Sequence, residues 1–101
     1  QLASIKGDVF VGSQACIGDF CLLNVSATCG HDAAVGDFSV LCPFAAVLGF
    51  AAGGENGFLA THAGVAPKKH LGSNVTVSAN SAAMRHAPDG AFVLGVPGKN
   101  M

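Results

Sequence analysis

Apolar residues recur along this chain at every sixth position. Stepping on from Ile5 gives Val11, Ile17, Leu23, Cys29, Val35, Leu41, Val47, Gly53, Leu59, Val65, Leu71 and Val77, and only Gly53 departs from the series. Four positions after each step stand Val9, Ala15, Cys21, Ala27, Ala33, Ser39, Ala45, Ala51, Gly57, Ala63, Lys69, Val75 and Ser81, small almost throughout, with Lys69 the clear exception. A period of six fits neither the 3.6 residues of an α-helical turn nor plain strand alternation. As a multiple of two, however, it returns each residue to the same face of extended chain. Short strands joined by regular corners satisfy it. Such a repeat marks a solenoid, in which each coil buries its apolar side only against its neighbours. A small antiparallel sandwich would have no need of an unbroken register of six.

If three hexapeptides close one triangular turn, residues 18 apart stack at about 4.8 Å, the ordinary spacing of paired strands. Ile5, Leu23, Leu41, Leu59 and Val77 then form one interior column, and Val11, Cys29, Val47 and Val65 another. The sequence predicts an all-β parallel solenoid of about four and a half coils over residues 1–82, followed by a C-terminal cap over 83–101. In that cap a turn is expected at Pro88-Asp89-Gly90, a strand over 91–96 and a break at Pro97-Gly98. Glycine follows the apolar residue at Gly12, Gly18, Gly30, Gly36, Gly54 and Gly72, where the reading places corners of strained φ. Ile5 enters the register only four residues in, so the first coil is expected to present an unpaired edge.

Composition narrows the function classes. Apolar residues make up 50% of the 101 and charged ones 11%, against about 25% charged in ordinary globular domains. Such a surface favours a repeat fold or an oligomer. A net charge of −1 leaves no basic footprint for nucleic acid. No stretch is long and apolar enough for a membrane span, and the first residues lack a signal-peptide pattern, which reads as cytoplasmic. Cys16, Cys21, Cys29 and Cys42 form no CxxC pair and read as reduced thiols. Phe20 and Phe38 stand 18 apart at an outward position, and Phe44 and Phe50 take the equivalent slot on the next two sides. With so few charges around them, all four are expected in a subunit interface.

A family likeness adds chemistry. The run His31-Asp32, then Val35-Gly36-Asp37-Phe38, Pro43, Gly49 and Gly54-Glu55-Asn56, with Pro88-Asp89-Gly90 and Gly95-Val96-Pro97-Gly98-Lys99, resembles the sialic acid O-acetyltransferase and nucleotide-sugar N-acetyltransferase family of hexapeptide-repeat proteins. The resemblance implies a left-handed parallel β-helix, although the general rule for parallel crossovers favours the right hand. It implies a homotrimer with sites between subunits, and transfer of an acetyl group from acetyl-coenzyme A to an amine or hydroxyl of a small, sugar-like acceptor. His31 matches the general base, a role suited to an imidazole that titrates near neutrality. Asp32 matches the acidic neighbour that raises its basicity. Gly49, 18 residues beyond His31, would stack one coil away and offer a backbone N–H to the oxyanion. Val40, Gly49, Thr61 and Ala79 match positions that contact coenzyme A.

Two departures stand out. Val40 occupies the place of a second histidine, nine residues after the base, that the family uses toward the acetyl donor. The family also carries an α/β acceptor-binding domain ahead of its β-helix, and these 101 residues contain nothing of that kind. The alternative expectation is therefore a truncated acyltransferase or a non-catalytic trimeric scaffold. His62, His70 and His86 invite comparison with zinc-binding hexapeptide-repeat carbonic anhydrases. With His31 and His70 two coils or more apart, His62 on another side and His86 solvated in the cap, no metal is expected.

Overall fold

The computed structural model describes residues 4–5 and 7–101. The chain winds as a left-handed parallel β-helix of about five turns, a prism measuring 31 × 20 × 19 Å. Along the first face run Ser4–Ile5, Leu22–Leu23, Val40–Leu41, Phe58–Leu59 and Thr76–Val77, and Phe92–Leu94 joins them in parallel before Lys99–Asn100 folds back antiparallel. The second face stacks Phe10–Val11, Thr28–Cys29, Ala46–Val47, Gly64–Val65 and Ala82–Ala83. The third stacks Cys16–Ile17, Ala34–Val35, Ala52–Gly53 and His70–Leu71. Each strand of the hexapeptide coils is two residues long, because only two of every six residues can extend before the next corner; Phe92–Leu94, past the repeat, has three.

Pairing follows the 18-residue register: Leu23 lies beside Leu41, Leu59 beside Val77, and Cys29 beside Val47. The second residue of each strand points inward, so the core is a set of vertical aliphatic columns. Leu23, Cys29, Leu41, Val65, Val77 and Val93 are essentially sealed from solvent, with Ala27, Ala45, Ala51 and Ala63 filling between them. The columns are laterally supported on all three sides, which is how so short a strand persists. At the first coil the same columns open to solvent, leaving Ile5 54% and Val11 41% exposed.

Gly53 breaks the third-face column and leaves a void of about 20 Å³ bordered by Val35, Leu41, Leu59 and Leu71. Ser39, buried beside it, satisfies its hydroxyl by accepting from the Gly57 N–H at 3.1 Å and donating to the Gly54 carbonyl at 3.4 Å.

The corners correct one expectation. The glycines at 12, 18, 30, 36, 54 and 72 do not adopt a left-handed backbone. That conformation falls two residues later, on Gln14, Phe20, Ser26, Asp32, Phe38, Phe44, Phe50, Asn56, His62, Lys68, Asn74 and Asn80, with φ between 56° and 66°. For an ordinary side chain this costs roughly 1–2 kcal/mol each, and Asn and Asp tolerate it best. An inter-coil bond recurs at these corners: the Phe38, Phe50 and Asn56 amides donate to the Asp19, His31 and Asp37 carbonyls at 2.9, 3.1 and 2.7 Å. The glycines serve close approach instead. A Cβ on Gly12 would stand 2.7 Å from the His31 nitrogen, and one on Gly54 would stand 2.7 Å from the Gly72 carbonyl carbon. Coils this tightly stacked leave no room for a side chain at those points.

Candidate active site

His31 and Asp32 form one corner between the second and third faces, and Gly49 and Phe50 form the corner one coil above. Adjacent residues on a strand diverge, but the left-handed backbone of Asp32 turns its carboxylate back toward its neighbour. His31 Nδ1 lies 3.3 Å from Asp32 Oδ2, with side-chain exposures of 61% and 38%. A carboxylate can only accept, so this contact keeps the imidazole proton on Nδ1 and leaves the Nε2 lone pair directed outward.

Gly49 stands where the sequence register predicted, and its missing side chain has a specific effect. A Cβ there would lie 2.8 Å from His31 Nε2 and 3.0 Å from Cε1. The imidazole occupies the space a side chain would take. The Gly49 carbonyl accepts from the Lys68 amide at 3.1 Å, whereas its N–H has no acceptor among the described residues. Gly49, its amide unpaired, thus lies against the edge of the imidazole that carries Nε2.

Two residues of this corner escaped the sequence reading. Phe50, expected in an interface, packs its ring at right angles to the His31 imidazole, with centroids 5.2 Å apart and an interplanar angle of 87°. Gly30 carries the Gly49 peptide on its bare face, since a Cβ there would stand 2.9 Å from the Gly49 nitrogen. The signal for both was the 18-residue column itself: Gly30 precedes His31 as Leu48 precedes Gly49, and Phe50 overlies Asp32.

The remaining candidates lie elsewhere. Thr61 and Ala79 stack at the corner between the first and second faces, and Val40 lies on the first face. The single chain therefore gathers His31, Asp32 and Gly49 at one edge and does not bring Val40, Thr61 or Ala79 to them. The four outward phenylalanines are exposed, Phe20 at 55%, Phe38 at 57%, Phe44 at 52% and Phe50 at 50%, but they divide among three edges. Phe20 and Phe38 stack on each other at 5.6 Å, and Phe44 stacks on His62 at 4.8 Å.

His86 accepts the His70 amide on Nδ1 at 3.0 Å, in the place of a further strand on the third face. Among the described residues no group of three or more His, Cys, Asp or Glu could hold a metal ion, and no helix is long and apolar enough to cross a membrane. The four cysteines are free thiols. Burial, with Cys16 adding to it, pushes the Cys29 thiol up to about 11, and burial also raises that of Cys42.

No family model matches the chain, and no curated protein matches it. Solved structures do. A mutant perosamine N-acetyltransferase from Caulobacter crescentus, in complex with CoA and GDP-perosamine, is 28% identical with a TM-score of 0.82, over 98% of this chain and 53% of its own. The acetyltransferase domain of PglB from Neisseria gonorrhoeae, in complex with acetyl coenzyme A, is 25% identical with a TM-score of 0.73, over 98% of this chain and 54% of its own. A hexapeptide-repeat acetyltransferase from Vibrio cholerae, also with acetyl coenzyme A, reaches a TM-score of 0.80 at 14% identity, covering 99% of this chain and 68% of its own. The chain spans about half the length of the first two. These structural neighbours are hexapeptide-repeat acetyltransferases, and the short β-helix of this chain has their fold.

Proposed function

We propose that this β-helix transfers an acetyl group from acetyl-coenzyme A to an amine or hydroxyl of a small, sugar-like acceptor. His31 Nε2 takes the acceptor's proton as the new N–C or O–C bond forms. The Gly49 N–H stabilises the oxyanion that develops on the thioester carbonyl, and Asp32 holds the imidazole in the required tautomer. The C–S bond then breaks, and the proton leaves with the thiol. The observation that carries this reading is the seating of an outward Nε2 over a side-chain-free Gly49 whose amide is open.

Val40, Thr61 and Ala79 lie too far around the prism to serve the same His31, so we assign the donor site to a homotrimer in which a neighbouring subunit supplies part of the groove. Four free thiols, Cys16 exposed among them, fit a reducing compartment such as the cytoplasm.

Two measurements test the proposal. Coenzyme A titrated into the protein is expected to bind saturably, and no binding at millimolar concentration would favour a scaffold. His31→Ala is expected to abolish thiol release with amino-sugar or sugar acceptors while leaving the sedimentation coefficient unchanged. Full activity in that variant would remove His31 from the mechanism.

A further inference from the structure

His31 is a solvent-facing side chain with two free torsions, and the contacts at hand hold it only weakly. Its bond to Asp32, at 3.3 Å, is at the long end of the useful range. The bare face of Gly49 gives the ring room without fixing its angle. What remains is Phe50, edge to face with the imidazole at 5.2 Å. Its backbone is tied to the same residue, because the Phe50 amide donates to the His31 carbonyl at 3.1 Å.

Phe50 is also an expensive choice for the fold. It occupies a left-handed corner, φ 61°, as Phe20, Phe38 and Phe44 do, while the corners at 56, 74 and 80 carry asparagine; of the four rings, that of Phe50 is the one packed on His31. A bulky aromatic gains nothing from that backbone, and half of its surface stays in water.

We propose that Phe50 is a positioning residue for His31: its ring, standing perpendicular to the imidazole, fixes the rotamer in which Nδ1 meets Asp32 and Nε2 overlies Gly49. This rests on the assignment of His31 as the base, and the test separates the two. In Phe50→Asn the corner receives a residue suited to its backbone, so thermal stability is expected to hold or rise. By NMR, the His31 χ1 couplings should change from those of one rotamer to an average, and its Cδ2 and Cε1 protons should lose their ring-current displacement. Phe50→Tyr should restore both.

With acetyl-coenzyme A and an acceptor, kcat is expected to fall about five- to tenfold in Phe50→Asn, the span an aromatic pair of this kind can supply. KM for acetyl-coenzyme A should be unchanged. A single His31 rotamer persisting in Phe50→Asn would overturn the proposal, as would a loss of rate that tracks a loss of stability. The NMR outcome decides the positioning role even if no acceptor is turned over, in which case the assignment of function fails alone.

Discussion

Gly49→Ala isolates the seat of the imidazole from the rest of the fold. The added Cβ would lie 2.8 Å from Nε2, 3.0 Å from Cε1 and 3.3 Å from Cδ2 of His31. Non-bonded atoms of this kind settle at about 3.5–4.0 Å, so the ring must retreat by roughly 0.5–1 Å. The imidazole is the free end of a side chain 61% exposed, so it swings outward and the backbone stays in place. Its Nδ1 contact with Asp32, already 3.3 Å, does not survive such a shift. Gly49 lies outside the left-handed region, so alanine fits its backbone. Reduced freedom of the unfolded chain then contributes about 0.4–1 kcal/mol in favour of the fold. The expected result is an unchanged or slightly raised melting temperature with thiol release slowed by about 100-fold or more, within the range general bases supply. Release of coenzyme A thiol, followed beside circular-dichroism melting, reads both. A variant that keeps its full rate, or one that loses activity only because it unfolds, would refute the reasoning.

The same substitution at two other glycines should behave differently. Gly53→Ala places a methyl where nothing lies within 4 Å, so it should stabilise by about 1–2 kcal/mol and raise the melting temperature by several degrees; an unchanged or lowered midpoint would show that the void is not there. Gly30→Ala drives a Cβ to 2.9 Å from the Gly49 nitrogen and 3.1 Å from the Leu48 carbonyl carbon, and backbone cannot yield as a ring can, so a loss of about 1–3 kcal/mol is expected on melting. Cys29 supplies a pH dependence. Its thiol is pushed from 9.0 to about 11 in the fold, so between those values the unfolded chain ionises and the folded one does not. Stability contributed by the neutral thiol is complete below pH 9 and is lost as pH rises toward 11, by about 2 kcal/mol. Cys29→Val should flatten that decline in urea unfolding, and identical slopes in both proteins would refute the assignment.

The fold was legible because its determinant is a period, and a period survives in the sequence without any knowledge of contacts. Leu23 against Leu41 and Val35 against Gly53 follow from the count of 18 alone. The corners were legible only in part. Sequence placed strain on the glycines at 12, 30 and 54, because glycine tolerates every φ. The structure puts the left-handed turn two residues on and gives those glycines to coil stacking. Nothing in composition separates these two uses of a residue without a side chain. The stacking of Gly49 on His31 followed from the register, whereas the contact of Asp32 with His31 did not, because it depends on the left-handed backbone at Asp32. Phe50 was not legible, since an outward phenylalanine reads as interface until the ring beneath it is known.

The corners differ in how their backbone amides are met. At the edge between the third and first faces, three amides are capped by a side chain of the next coil. The Asp19 N–H donates to Asp37 Oδ1 at 2.7 Å, the Glu55 N–H to Ser73 Oγ at 3.2 Å and the Ser73 N–H to Asp89 Oδ1 at 2.8 Å. At the edge of His31 the residue 18 beyond Gly49 is Pro67, which has no side-chain acceptor to offer, and the Gly49 N–H has no acceptor among the described residues. Pro67→Asp should restore the cap. The new hydrogen bond contributes about 1 kcal/mol and offsets a similar loss of proline rigidity, so stability should hardly move. The Gly49 amide proton should shift downfield and exchange more slowly, while kcat falls by about 10²-fold, as when an oxyanion donor is removed. If the amide were visibly capped and kcat remained that of the parent, the oxyanion would have to be held by another group.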